Sequence, residues 1–191
     1  MTRIWQFLLA AFLATSTMAQ AQETVVVELF TSQGCSSCPP ADRILGELAE
    51  DENIIALALH VDYWDYLGWK DEFGSAEHTQ RQRAYARTMG ERTIYTPQMV
   101  IGGSEHVVGS RGMKVAKAVQ KHASRKMPVR VALQRNGETV SIRATATGNV
   151  PNVVVMLATY SPKEVVDVRR GENAGRKLTY HNVVRRMAPI G

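Results

Sequence analysis

The sequence predicts an α/β fold followed by an antiparallel β annex, and three observations carry that expectation. Two apolar runs, Val25 to Phe30 and Ile54 to Val61, are almost uninterrupted, as in strands buried on both faces of a parallel arrangement. Between them Ile44, Leu45, Leu48 and Ala49 recur at helical spacing within Ala41 to Asp51, so strand, helix and strand make a βαβ unit. Beyond Pro128 the pattern switches to alternation, which belongs to half-buried antiparallel strands.

Met1-Thr2-Arg3 supplies a charged start, Ile4 to Ala14 is almost wholly apolar, and Ala19-Gln20-Ala21 is a small-residue cleavage site. Together they predict a secretory signal peptide over residues 1–21. A retained membrane anchor would need about 20 apolar residues, more than this run offers. The expected location is periplasmic or secreted, with no membrane anchor after cleavage. The remainder is long enough for one domain with a small annex, here a main domain over 22–126 and the annex over 127–191.

Pro39 and Pro40 sit at the start of the first helix, where their missing amides are tolerated. Asp62 to Phe73 is too aromatic for a solvated linker and reads as an ordered insertion, followed by a polar helix from Ser75 to Met89. Thr96-Pro97 precedes a strand at Gln98 to Ile101, and Gly102-Gly103 supplies a hairpin turn into Glu105 to Val108. Ser110 caps a last helix reaching about Ser124. In the annex, Val129, Val131 and Leu133, the turn Asn136-Gly137, then Val140, Ile142 and Ala144 predict a hairpin. Val153 to Tyr160, Val165 to Arg169 and Leu178 to Val184 predict three more strands.

Residues 22–110 carry 6 Lys and Arg against 14 Asp and Glu, whereas residues 111–191 carry 16 against 4. The halves therefore present surfaces of opposite sign, which complement each other or face an acidic partner or an anionic membrane surface. No nucleic-acid partner is expected for an exported protein.

Cys35 and Cys38 are the only cysteines, and they stand at a strand-to-helix junction. A CxxC there is a candidate redox motif, and an oxidising compartment lets it hold a disulfide. Open amides and the dipole at a helix start lower a thiol pKa from about 8.5 toward roughly 3.5 to 7.5. Cys35 would then attack, and Cys38 would resolve the mixed disulfide from one turn away. By itself the spacing also fits a structural disulfide or half of a metal site.

The order strand, CxxC, helix, strand, Thr-Pro, hairpin and final helix resembles the thioredoxin superfamily over roughly residues 24–125. More closely, Glu28 to Asp42, His60-Val61-Asp62-Tyr63-Trp64, Tyr95-Thr96-Pro97-Gln98-Met99 and Arg170-Gly171-Glu172-Asn173 resemble a secreted bacterial family whose thioredoxin-like domain has no known function. The resemblance implies a thioredoxin-like fold and thiol–disulfide exchange on protein thiols or disulfides, with a redox partner and no cofactor. It implies catalytic Cys35 and Cys38, and Thr96 and Pro97 in substrate binding, with Pro97 cis and facing the dithiol; an ordinary trans proline is the alternative.

Thioredoxins carry a buried acid beneath the dithiol, and Glu28 is the nearest candidate relay, one position out of register. A sheet-edge or ion-paired acid is the alternative reading of it. His60, Asp62, Tyr63 and Trp64 close the second strand, at the edge where open α/β sheets place their sites. They either line a groove beside Cys35 or pack as a satellite core. Chains of the family run on past the point where this one stops, which would leave the annex with an unpaired edge.

Two other functions stay in view. One is a non-catalytic binding module whose disulfide staples a loop to the first helix. The other is a copper-binding chaperone using Cys35, Cys38 and a histidine. His60, His78, His106, His122 and His181 show no HxxxH or HExxH spacing, so no metal site is expected. Gly171 to Lys177 lacks the spacing of a phosphate loop and reads as a turn.

Overall fold

The computed structural model describes residues 23–150 and 152–190; the expected signal peptide lies outside them. β1 (Val25–Thr31), α1 (Pro39–Leu48) and β2 (Ile54–His60) form the expected βαβ unit, the strands parallel and in register from Val25↔Ile54 to Thr31↔His60. After a 3-10 turn at Asp65–Leu67 come α2 (Ala76–Thr88), the hairpin β3 (Gln98–Ile101) and β4 (Glu105–Val108), and α3 (Gly112–Ala123). Ser75 caps α2 by accepting from the Glu77 amide at 3.1 Å. Gly102 and Gly103 both take positive φ, 55° and 65°, the turn geometry glycine adopts without strain.

A mixed six-stranded sheet has the order β4-β3-β1-β2-β8-β7, where β7 is Met156–Asp167 and β8 is Lys177–Pro189. Alternation along β1 sorts its side chains between two layers. Val27 and Leu29 pack with Leu45 of α1 and Val115 of α3, whereas Glu28 and Phe30 meet Tyr85 of α2. A larger core therefore lies under α1 and α3, and a smaller one, around Phe30, Leu59 and Val100, lies under α2.

The stretch 127–191 divides between two places. β5 (Val129–Asn136) and β6 (Thr139–Ala146) form a separate antiparallel hairpin whose contacts are almost wholly its own. Val131 is 57% and Leu133 68% exposed, so the alternation that predicts the hairpin faces no core among the described residues. β7 and β8 are antiparallel to each other, as expected, and they extend the main sheet, with β8 parallel to β2 at Ala58↔Val183. Val166, Val168, Leu178, Tyr180 and Val183 complete the larger core.

Two long strands stand where three were expected, because β7 runs straight through Pro162. A proline usually ends a strand, but β7 is the sheet's edge, where its missing amide leaves no second partner unpaired. Across from it Asn182 takes a φ of 49°, and its Nδ2 donates to Ala56 O at 2.9 Å, tying β8 to β2. No helix among the described residues is long and apolar enough to cross a membrane.

Candidate functional site

Cys35 and Cys38 are joined in a disulfide, with Cα atoms 5.4 Å apart. Leaving β1, the chain makes two successive turns, Cys35 N–H donating to Ser32 O and Cys38 N–H to Cys35 O, both at 3.2 Å. Cys38 is the N-cap of α1, and Cys35 stands in the turn before it. Pro39 and Pro40 fill the first two helical positions without an N–H, and the Ala41 amide donates back to Cys38 O at 2.8 Å. The open amides expected to stabilise a Cys35 thiolate are therefore not there, and the two prolines are the reason. Beside Cys35 Sγ stands instead the Ser37 hydroxyl, at 3.4 Å.

Both cysteines are fully buried, although Ser36 and Ser37 between them are exposed. The connection from β7 to β8 makes the cover. Asn173, itself fully buried, donates through Nδ2 to Gln33 O and Cys35 O, both at 2.9 Å, and accepts from Arg176 Nη1 at 2.8 Å. One residue earlier, Glu172 Oε2 accepts from the Ser36 amide at 3.0 Å, and that bond holds the exposed carboxyl below the usual carboxylate range. The segment Arg170 to Asn173 thus acts as a clamp across the turn that carries the disulfide.

Where the ends of β1 and β2 meet α1 lies a cluster of buried polar side chains. The register pair Thr31↔His60 puts the last residues of β1 and β2 side by side there. Asp42, one turn along α1 from Cys38, accepts from Thr31 Oγ1 at 2.8 Å. Burial pushes the Asp42 carboxyl up to about 7, outweighing the opposing pull of His60 and the Thr31 hydrogen bond. His60 Nδ1 lies 2.7 Å from Asp71 Oδ2, which also accepts from the Gln33 amide at 2.8 Å. Burial alone would raise Asp71, but His60 and the amides of Gln33 and Phe73 hold it below its ordinary value. The Tyr180 ring stands edge-on to His60 at 4.6 Å, and Trp69 Nε1 donates to Gln33 Oε1 at 2.7 Å. A cavity of about 240 Å³, lined by Pro39, Asp42, Arg43, Arg176 and Lys177 among others, reaches Asp42 from the surface.

The other expected residues fall into two places. Trp64 Nε1 donates to Thr96 Oγ1 at 2.8 Å, and the Thr96–Pro97 bond is cis, as expected. A Cβ on Gly34 would lie 3.2 Å from Trp64 Cβ, so a small residue before Cys35 is what lets Trp64 pack against the turn. Asp62 accepts from Thr79 Oγ1 at 2.6 Å and Tyr63 OH donates to Gln82 Oε1 at 3.2 Å, so both tie the end of β2 to α2. Burial raises the Tyr63 phenol to about 12.

Glu28, expected as the relay, faces the opposite layer. Its carboxylate accepts from Arg81 Nε at 2.7 Å and Arg81 Nη2 at 3.0 Å, and also from Tyr85 OH. It lies three positions before Thr31 along β1, an odd offset, so pleating sends the two side chains to opposite faces. The buried acid on this face, one turn along α1 from Cys38, is Asp42. Its signal is readable in the spacing, since Cys38, Asp42, Leu45 and Ala49 share one helical face. Replacing Arg81 by methionine should destabilise the protein by about 2 to 4 kcal/mol, because a buried carboxylate loses its cation, one-third exposed though that cation is. Urea unfolding of R81M, with and without Glu28→Gln, measures this, and an equal loss in both backgrounds would show that the ion pair is not the cause.

Among the described residues no three His, Cys, Asp or Glu side chains gather as a metal ligand set. A family model described as a protein of unknown function, DUF1223, matches residues 26–191. The crystal structure of a protein from Agrobacterium tumefaciens is similar, with a TM-score of 0.78 and 37% sequence identity, covering 91% of this chain and 75% of that one. No match was found among curated proteins. With the family model spanning most of its length, the chain belongs to the DUF1223 family.

Proposed function

We propose that the chain is an exported, thioredoxin-like protein that exchanges disulfides with protein thiols through Cys35 and Cys38. The observation that carries this reading is the buried polar cluster around Asp42, one helical turn from Cys38. Burying Asp42, His60 and Asp71 together opposes folding unless each is well paired, and a bond that only staples a loop needs no proton-holding group beside it. An exchanging disulfide does need one, because opening it releases thiolates that take up protons. Asp42, half-protonated near neutral pH and one turn from Cys38, suits that task. Thr96 and Pro97, backed by Trp64, are the proposed wall against which an extended substrate segment lies. A second dithiol or disulfide protein would return the pair to its starting state.

The closed cover over both sulfurs favours a second reading, a binding module whose disulfide merely holds the turn to α1. Equilibrating the protein with glutathione buffers and quantifying the Cys35–Cys38 bond separates the two. Exchange predicts a reduction potential between about −270 and −120 mV. A value well below roughly −300 mV would assign the bond to structure alone.

A further inference from the structure

The connection from β7 to β8 carries an uneven charge. Between Val168 and Lys177 it holds Arg169, Arg170, Arg176 and Lys177 against one acid, Glu172, and that carboxylate is already bonded to the Ser36 amide at 3.0 Å. Arg43 of α1 joins these cations, because Arg43, Arg176 and Lys177 line one notch of about 240 Å³ together with Pro39 and Asp42. All three cations are exposed. Arg43 Nη1 donates to Pro39 O at 3.3 Å and Arg176 Nη1 to Asn173 Oδ1 at 2.8 Å, so both guanidiniums rest on neutral oxygens. Among the described residues neither has a carboxylate partner, and Lys177 has only a loose, exposed pair with Asp167 at 3.6 Å. Asp42, the acid in the lining, is buried and accepts from Thr31, and burial raises it to about 7, so below neutral pH it does not cancel their charge.

The notch adjoins the disulfide. Pro39 follows Cys38 directly, and Arg176 bonds to the same Asn173 whose Nδ2 donates to Cys35 O. We propose that this notch docks an acidic peptide segment, so that the substrates of Cys35 and Cys38 are proteins whose reacting cysteine lies close to Asp or Glu. A guanidinium has five N–H donors in a fork that matches a carboxylate, and Arg43 and Arg176 each spend one on a protein oxygen. Clusters of arginine are a recurring means of holding acidic motifs. The spacing also fits. Arg43 lies five positions along α1 from Cys38, about 7.5 Å of helical rise. Roughly two or three extended residues, at about 3.3 Å each, span that length between a substrate's cysteine and its acid.

The inference rests on the exchange reading and adds the class of substrate to it. A dithiol segment docks through its carboxylate, and one of its thiols gives a proton to solvent. The thiolate attacks Cys35 Sγ, the Cys35–Cys38 bond breaks, a mixed disulfide forms at Cys35, and Cys38 leaves with the electron pair. The segment's second thiol loses its proton in turn and attacks the segment's own sulfur in the mixed disulfide, so that Cys35 leaves with that electron pair. The segment departs oxidised to a disulfide, and the two thiolates of the reduced protein take up two protons, as many as the dithiol released. The cations are unchanged throughout. They raise the local concentration of an anionic segment beside a covered disulfide, and salt screens that effect.

The test reacts the oxidised protein, at about pH 6.5 and low ionic strength, with three short dithiol peptides that differ only in carrying aspartate, serine or lysine near their cysteines. Each rate of opening is divided by the same peptide's rate with an uncharged small disulfide, which removes differences in thiol reactivity. The aspartate peptide should react about 5- to 10-fold faster than the serine peptide and the lysine peptide more slowly, with the differences fading at about 0.5 M salt. In the double variant Arg43→Glu, Lys177→Glu the order should reverse; Arg176 is left in place because it also holds Asn173. Urea unfolding checks that the variant is folded. Equal corrected rates for the three peptides in the wild type, or an unchanged order in the folded variant, overturns the inference and leaves exchange standing. If no peptide opens the wild-type disulfide in the folded protein, the inference and the exchange reading fall together.

Discussion

Replacing Asp42 by asparagine is expected to stabilise the protein by about 3 to 4 kcal/mol at pH 8 and to change little at pH 4. The Asp42 carboxyl rises from 3.8 to about 7 on folding, chiefly because burial disfavours its charged form. Between those values the folded protein holds a proton that the unfolded chain has released. Stability therefore falls as pH rises through this window, and the whole penalty is present above it. Each pH unit corresponds to about 1.4 kcal/mol. Asparagine has no charge to bury and can still accept the Thr31 hydroxyl, so the variant escapes the penalty. Urea unfolding of the oxidised proteins between pH 4 and 8 would reveal it. A stability difference that stays constant over that range would mean that Asp42 is not the buried acid described here. The same variant should lose the break near neutral pH in the rate at which thiols open the disulfide, because the proton donor is gone.

Local pattern made the first half of the fold legible. The apolar runs of β1 and β2, the prolines at the start of α1 and the glycine pair between β3 and β4 act over a few residues, where strand period and turn chemistry suffice. The polar and aromatic residues at the end of β2 were legible as a group, but not that Asp62 and Tyr63 turn to α2 while His60 turns to Asp71. Which acid is buried one turn from Cys38 was readable too, but only by following two periodicities together: β1 sends Glu28 toward α2, and α1 turns Asp42 toward Thr31. The partner of β8 was not legible. A strand's neighbour is chosen by which face needs covering, and the larger core needed Tyr180 and Val183 beside β2. Nor could local pattern show that Arg170 to Asn173 closes over Cys35, since the contact joins residues 138 apart in sequence. The segment is visible as a motif, yet its role exists only once β7 and β8 have joined the main sheet.

That closure sets up the second large effect. Asn173→Ala should speed attack on the disulfide by a small dithiol about 10- to 100-fold while lowering stability by about 2 to 4 kcal/mol. The asparagine amide satisfies the buried carbonyls of Gln33 and Cys35, away from water, and accepts from the exposed Arg176. Losing it leaves buried polar groups unpaired in the closed state, while in an open loop the same groups meet solvent. The substitution therefore acts mainly on the closed form and shifts the local opening equilibrium, with each 1.4 kcal/mol worth a factor of ten. Opening of the loop and opening of the whole protein respond differently to denaturant. Local opening exposes little surface, so the accelerated reaction should depend only weakly on urea well below the unfolding transition. If N173A loses the expected stability but reacts at the wild-type rate, the segment 168–176 does not guard the sulfurs. Should the rate rise only in step with global unfolding, the disulfide is a staple reached by denaturation, and the exchange reading loses its route to Cys35.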